Sequence, residues 1–139
     1  MKKGMKIKIF LIMLLSQFCS CDGIYNKHIL GNFYLTACDT IHELCLSYYD
    51  SVSKCYPIIV DCGVYDVRYN KEYIIVKRHP FLKPDSRLEY NEDVTEFYIV
   101  KVVHTTYFGD ENCLGPFTEE EFVTKEKELN VGKLLEFPF

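Results

Sequence analysis

The chain has 139 residues, 48% of them hydrophobic and 15% aromatic, which is enough apolar material for one domain core and too much for an intrinsically disordered protein. Its formal charge is −4, but beyond residue 21 there are 12 Lys and Arg against 20 Asp and Glu, a formal charge of −8. That negative charge, with no basic stripe, excludes nucleic acid as a partner.

Residues 1–20 are typical of a bacterial secretion signal. The first eight residues contain four lysines and no acid, and an unbroken apolar run follows at residues 9–15. This run is far shorter than the roughly 20 residues that a membrane-spanning helix needs. Its asymmetric flanks and terminal position argue against a buried core helix.

The end of this signal favours a lipid anchor. Cys21 follows the small residue Ser20, as in lipoprotein precursors, although Phe18 stands where leucine is usual. Cleavage after Cys21 by an ordinary signal peptidase is the alternative and predicts a soluble secreted protein. We expect lipidation at Cys21, so that several acyl chains hold the protein on a membrane of the cell envelope, outside the cytoplasm.

After a lead-in at residues 21–30, residues 31–139 are expected to form a single domain. Segments rich in aromatic and β-branched residues, separated by turn residues, predict six strands. These lie at residues 32–38, 44–49, 56–60, 64–69, 72–78 and 94–106. Asn70 and Lys71 predict a tight turn, in which Asn70 tolerates a positive φ. Residues 80–93 and 109–116 are expected to be loops.

The C-terminal part predicts one amphipathic helix at residues 119–129. Thr118 and Glu121 form a capping-box pattern, and the acidic first turn suits the helix dipole. Lys125 is expected to pair with Glu121, four residues earlier. The apolar stripe is predicted to contain Phe122, Val123 and Leu129. The fold class is therefore α+β, a mostly antiparallel meander of about six strands with this helix packed on the sheet.

Five cysteines follow Cys21, namely Cys38, Cys45, Cys55, Cys62 and Cys113. An exported chain meets oxidising conditions, and no pair has the spacing of two to four residues usual in zinc sites, so disulfides are expected rather than a metal. Equal spacing of seven residues favours the local pairs Cys38–Cys45 and Cys55–Cys62. Because residues 56–61 read as extended, the crossed pairs Cys38–Cys62 and Cys45–Cys55 are the fallback. Four cysteines allow three pairings, and the state of Cys113 stays open.

Other polar residues give weaker indications. Lys77 and His79 share one face at a strand end and form a possible binding corner, although a solvated strand end is the favoured interpretation, because nothing pairs His79 with a base, a nucleophile or a metal ligand. Cys113 and His104 are the pair that a thiol enzyme would use, but no oxyanion-hole glycine motif accompanies them. The histidines lack metal-ligand spacing, and no cofactor is expected. The 11 tyrosines indicate either a surface that recognises a protein or a glycan, or the ordinary use of tyrosine in exported β domains where one edge of the ring contacts water, and the two interpretations are weighted equally.

Two segments resemble a known family. They are YNKEYIIVKRHP at residues 69–80 and GPFTEEEF at residues 115–122, the second followed by a helix rich in Lys and Glu. Both are similar to segments of small bacterial lipoproteins of unknown function. The cysteines depart from that family. The resemblance implies a fold and an envelope location, and it implies no activity.

We therefore expect a non-catalytic, envelope-anchored binding or interaction module. One alternative is a thiol-dependent or other small envelope enzyme, which requires a concave pocket with convergent titratable groups. Another is an immunity-like or inhibitor lipoprotein that blocks its partner by occlusion.

Lipidation is directly testable. Replacing the anchor residue, Cys21→Ala, should leave an uncleaved precursor or release the product from membranes, because the acyl chains have no other attachment point. Intact-mass spectrometry of the membrane fraction measures the acyl mass. An unmodified mature chain that begins at Asp22 would contradict the assignment.

Overall fold

A computed structural model describes residues 25–37, 39–85 and 89–139. The expected signal, the anchor Cys21 and Cys38 lie outside the described residues. The strands are β1 (Tyr25–Leu30), β2 (Phe33–Ala37), β3 (Cys45–Tyr48), β4 (Ile58–Val60), β5 (Val64–Tyr69), β6 (Tyr73–Arg78), β7 (Glu96–Lys101), β8 (Cys113–Phe117) and β9 (Leu135–Glu136). One α-helix, α1 (Glu119–Leu129), lies between β8 and β9, and the described residues also contain two short 3₁₀ helices, Ile41–Glu43 and Asp110–Asn112. No helix among the described residues is long and apolar enough to cross a membrane.

The expected class is confirmed, because the chain is mostly antiparallel β with one C-terminal helix packed on a sheet. The described residues form nine strands in two sheets rather than about six strands in one. The first sheet has the order β1-β2-β3-β4, and the second has the order β8-β7-β6-β5-β9. The expected lead-in contains β1, and the loop expected at residues 109–116 contains most of β8.

The core has two layers, one on each face of the second sheet. Alternate residues of a strand point to opposite faces. On β6, Ile74 and Val76 join the cluster between the two sheets, whereas Ile75 faces the cluster beneath the helix. On β7, Val100 faces the first sheet and Ile99 faces the helix. The second sheet is therefore the middle layer, covered by the first sheet on one face and by α1 on the other.

The helix is fixed at its start and on one face. The Thr118 backbone N–H donates to the Glu121 carboxylate at 2.9 Å, and the Glu121 N–H donates to the Thr118 hydroxyl at 3.4 Å, which confirms the capping box. Phe122 stacks on Phe97 with ring centroids 4.8 Å apart, and burying such a ring contributes about 2 kcal/mol. The predicted Lys125–Glu121 pair is wrong: Lys125 binds Glu128 at 2.8 Å, since the Glu121 carboxylate serves the cap.

The turn at Asn70 differs from its prediction. Asn70 is not among the described residues with positive φ. Its side-chain oxygen instead accepts the N–H groups of Glu72 and Tyr73, at 2.8 and 2.9 Å. Its amide nitrogen donates to the carbonyl of Val131 at 2.7 Å. The side chain thus closes the β5–β6 turn and also holds the segment that follows α1.

Removing the cap should lower stability. Thr118→Ala should reduce the free energy of unfolding by about 1 kcal/mol, because the Glu121 N–H at the helix start loses its acceptor, the Thr118 hydroxyl. Urea denaturation measures the change. Thr118→Ser should restore the parent value. Thr124→Ala, in the exposed interior of the same helix, is the matched control and should not lower stability. An unchanged midpoint for Thr118→Ala would contradict the capping assignment.

Candidate functional site: an aromatic groove

A groove of about 350 Å³ lies between β4 and β8. Each is an outer strand of its sheet, so the groove opens where the two sheets end. Its walls are mostly aromatic or aliphatic, and two carboxylates accompany them. The lining consists of Tyr48, Asp50, Pro57, Ile58, Ile59, Tyr98, Tyr107, Phe108, Asp110, Cys113 and Gly115.

Buried Tyr48 holds one wall in place. Its hydroxyl donates to the backbone carbonyl of Thr105, in the loop between β7 and β8. The same ring contacts Phe108 from that loop, with centroids 5.5 Å apart. Phe33 packs against both rings from β2. These contacts hold the loop between β7 and β8 against the first sheet. The two sheets therefore enclose the groove between them.

Large apolar side chains stand exposed at the groove. Ile58 is 56% exposed and Tyr107 is 70% exposed, and both belong to the lining. Single exposed apolar residues are ordinary, whereas apolar residues gathered at a concavity are typical of a binding surface. The groove therefore offers a ligand apolar area that the fold itself leaves uncovered.

The groove combines neutral walls with negative carboxylates. A hydrogen bond from the Ser53 hydroxyl, followed by one from the Val52 N–H, lowers the pKa of Asp50, so this carboxyl group is ionised at neutral pH. Burial raises the pKa of Tyr98 to about 12 and that of Cys113 to about 11. Both are therefore neutral at pH 7. Asp110 adds a second carboxyl group to the lining.

The groove contains Cys113 but not His104, the partner that a thiol enzyme would use. Cys113 is the one thiol in the described lining, and burial keeps it protonated, whereas a nucleophilic cysteine needs its thiolate. No histidine belongs to that lining. The Nδ1 atom of His104 lies 3.8 Å from where a Cβ on Gly31 would stand, and neither residue belongs to the groove lining.

The family model described as "Protein of unknown function (DUF3997)" matches residues 31–138. The chain belongs to the DUF3997 family. The match covers both sheets except β1, together with the helix and the whole groove. Neither the comparison with curated proteins nor the comparison with solved structures finds a match.

The structure places the possible binding corner of this DUF3997 domain outside the groove lining. Lys77 binds the Asp66 carboxylate at 3.1 Å. His79 stacks on Tyr65 with ring centroids 4.3 Å apart, and its Nδ1 lies 2.9 Å from the carbonyl of Val94. Both side chains thus contact their own strand neighbours. A binding role for Lys77 and His79 stays a prediction.

The cysteines of the domain lie in three different places. The sulfur of Cys55 donates to the carbonyl of Ser53 at 3.4 Å in an exposed segment. Cys45 is buried beside Cys62, and Cys113 faces the groove. The pairings expected from the sequence stay predictions.

Sequence reasoning singled out Cys113 but did not identify the groove residues around it. The large number of tyrosines indicated an aromatic surface, but Ile58 and Asp110 carry no local signal of a site. These two residues are 52 positions apart and meet only because two separate sheets stack.

The protonated state of Cys113 predicts slow alkylation of its thiol. In the reduced protein at pH 8, iodoacetamide should modify Cys113 about tenfold or more slowly than exposed Cys55, because alkylation needs the thiolate. Peptide mass spectrometry over a pH series gives the two rates. The rate at Cys113 should keep rising towards about pH 11. Unfolding in urea should remove the difference. A rate at Cys113 that levels off below pH 9 would contradict the assignment.

Proposed function

We propose that this DUF3997 protein is a non-catalytic binding module, held outside the cytoplasm by a lipid anchor at Cys21, and that its aromatic groove takes an extended, basic peptide segment of a partner protein. The groove between β4 and β8 is the observation that carries the proposal. Its apolar walls supply contact area, and its carboxylates select the charge of the occupant.

Two features favour a peptide. First, β4 and β8 are outer strands, and such strands present backbone N–H and C=O groups that an added strand pairs with. Second, the exposed side chains of Ile58 and Tyr107 can pack against an apolar side chain of that added strand. Apolar and aromatic anchors of this kind supply most of the affinity at protein interfaces.

Charge complementarity favours a basic occupant. Asp50 and Asp110 belong to the lining, and the chain beyond residue 21 has a formal charge of −8. A cationic segment is attracted by this field, whereas an acidic one is repelled. Lys or Arg residues beside an apolar anchor fit both features of the groove.

The anchor is argued from residues 1–21, outside the described structure. Its physical role is to concentrate the module at a membrane surface, where a groove of low affinity meets its partner more often. Lipidation and groove binding are separate parts of the proposal, and the mass measurement on Cys21 tests the first without reference to the second.

Synthetic peptides test the groove. Two matched sets have the same central Leu or Phe, flanked by Lys and Arg in one set and by Glu in the other. Fluorescence titration should show binding of the basic set and none of the acidic set. Tyr107→Ala should weaken binding about tenfold, and Asp110→Asn about threefold, because one removes an apolar anchor and the other a charge.

Matched variants control for general effects. Leu135→Ala removes a side chain that is 59% exposed on β9, at the other edge of the second sheet, and should leave affinity unchanged. Asp93→Asn removes an exposed charge outside the groove lining and serves the same purpose for Asp110→Asn. Equal binding of both peptide sets, or no binding of either, would overturn the proposal. So would glycan-array binding that Tyr107→Ala abolishes.

A further inference from the structure

Residues 61–63 bulge over Cys45 where the first sheet meets the second. Leu46 pairs with Val60 across β3 and β4, and the Val64 N–H donates to the carbonyl of Leu44 at 3.0 Å. Between these two contacts, three residues of one segment stand opposite the single residue Cys45. The middle one of the three is Cys62.

Gly63 makes this close approach possible. Its φ is +96°, a conformation that other residues rarely adopt, and a Cβ at this position would lie 2.2 Å from the carbonyl oxygen of His79. The ring of Tyr90 also lies 2.9 Å from that position. The turn that directs Cys62 towards Cys45 is therefore fixed by tightly packed neighbours.

The two sulfurs lie close together. The Sγ atoms of Cys45 and Cys62 and a carboxylate oxygen of Asp61 all lie within 4.8 Å of one another. A disulfide bond is about 2.0 Å long, so rotation of the two side chains has to bring the sulfurs closer before a bond forms.

We infer that Cys45 and Cys62 form a disulfide that joins β3 to the segment leading into β5. Neither of the two pairings favoured by the sequence contains this bond. It belongs to the third possible pairing, which leaves Cys38 and Cys55 for each other or for other thiols.

The charges around the cluster favour a disulfide over a metal ion. The Asp61 carboxylate lies 3.8 Å from the Arg78 guanidinium and accepts the backbone N–H of Cys62 at 2.8 Å. Arg78 also donates to the backbone carbonyl of Cys62 at 3.2 Å. A divalent cation would have to compete with this guanidinium for its only carboxylate ligand in the described cluster. The two thiols can form a disulfide without displacing Arg78 from Asp61.

The exposure of the two sulfurs determines which thiol reacts first. Cys62 is partly exposed and Cys45 is buried. A hydrogen bond with Cys45 is the main cause that lowers the pKa of Cys62, against opposing effects of burial and of Asp61. Cys62 is thus the thiol that first attacks an oxidant, and Cys45 is the one that resolves the product.

Oxidised glutathione illustrates the balanced reaction. The Cys62 thiolate attacks one glutathione sulfur, the glutathione disulfide bond breaks, and one glutathione thiolate leaves. The Cys45 thiol loses its proton and attacks the Cys62 sulfur, which releases the second glutathione thiolate. Cys45 and Cys62 lose two protons and two electrons together, and one glutathione disulfide is reduced to two thiols.

Peptide mapping of the purified full-length protein tests this bond. The protein is reduced, equilibrated with oxidised glutathione and trapped with N-ethylmaleimide. Trypsin and Asp-N together place Cys38, Cys45, Cys55 and Cys62 in the separate peptides 28–38, 39–49, 55–60 and 61–65. Peptides 39–49 and 61–65 should be recovered as one linked species that reduction separates. Because the oxidant is added, the result does not depend on where the protein resides or on what its groove binds.

Variants test the order of the two steps. In Cys45→Ser, Cys62 should retain glutathione, because no resolving thiol remains. In Cys62→Ser, buried Cys45 should acquire about tenfold less glutathione. Cys38→Ser and Cys55→Ser should both preserve the linked species, and they control for loss of any thiol. Linkage of peptide 61–65 to 28–38 or 55–60 would overturn the inference. So would two alkylated thiols after oxidation, or one equivalent of zinc retained with both thiols protected.

Discussion

The burial of β6 on both faces is the constraint on which the fold depends. Ile74 and Val76 pack against the first sheet while Ile75, between them, packs towards α1. A strand with one wet face alternates apolar and polar residues, whereas a strand covered on both faces reads as an unbroken apolar run. The run from Tyr73 to Val76 therefore demands two covering layers. The first sheet and α1 provide them, and the capping box and the Phe122–Phe97 stack determine where the helix lies.

What the sequence predicted correctly is local. The helix at residues 119–129 and the strand at residues 64–69 have the bounds that were expected, because caps, turns and periodicity act within a few residues. Strands β1, β8 and β9 were missed, because their stability comes from neighbours rather than from their own residues. β1 has only Ile29 in the core, and β8 contains Gly115 and Pro116, which local rules assign to turns. The strand at residues 72–78 was predicted, but the second sheet that its apolar run requires was not.

The groove could not be predicted for a related reason. Its residues come from the outer strands β4 and β8, from the inner strands β3 and β7 next to them, and from the connections between them, including the loop that Tyr48 holds. Which strand becomes an outer strand depends on the pairing order of the whole sheet, and no local pattern encodes that order. The tyrosine content indicated only that some aromatic surface stays exposed. Asn70 illustrates the same limit on a small scale, because its side chain reaches Val131, 61 positions along the chain, in addition to closing its own turn.

The groove and the thiol pair lie at opposite ends of one short strand. β4 has only three residues and pairs with β3 at Leu46–Val60 and Ser47–Ile58, with an irregularity between them. An outer strand that is joined to its neighbour at so few positions is held weakly. The exposed Ile58 end forms the groove wall, and the Val60 end leads directly into Asp61 and Cys62. A covalent link from Cys62 to Cys45 would hold that second end against β3, which reduces the number of positions open to the first. The surface that a ligand would use and the chemistry of the two thiols are in this way connected through a single strand.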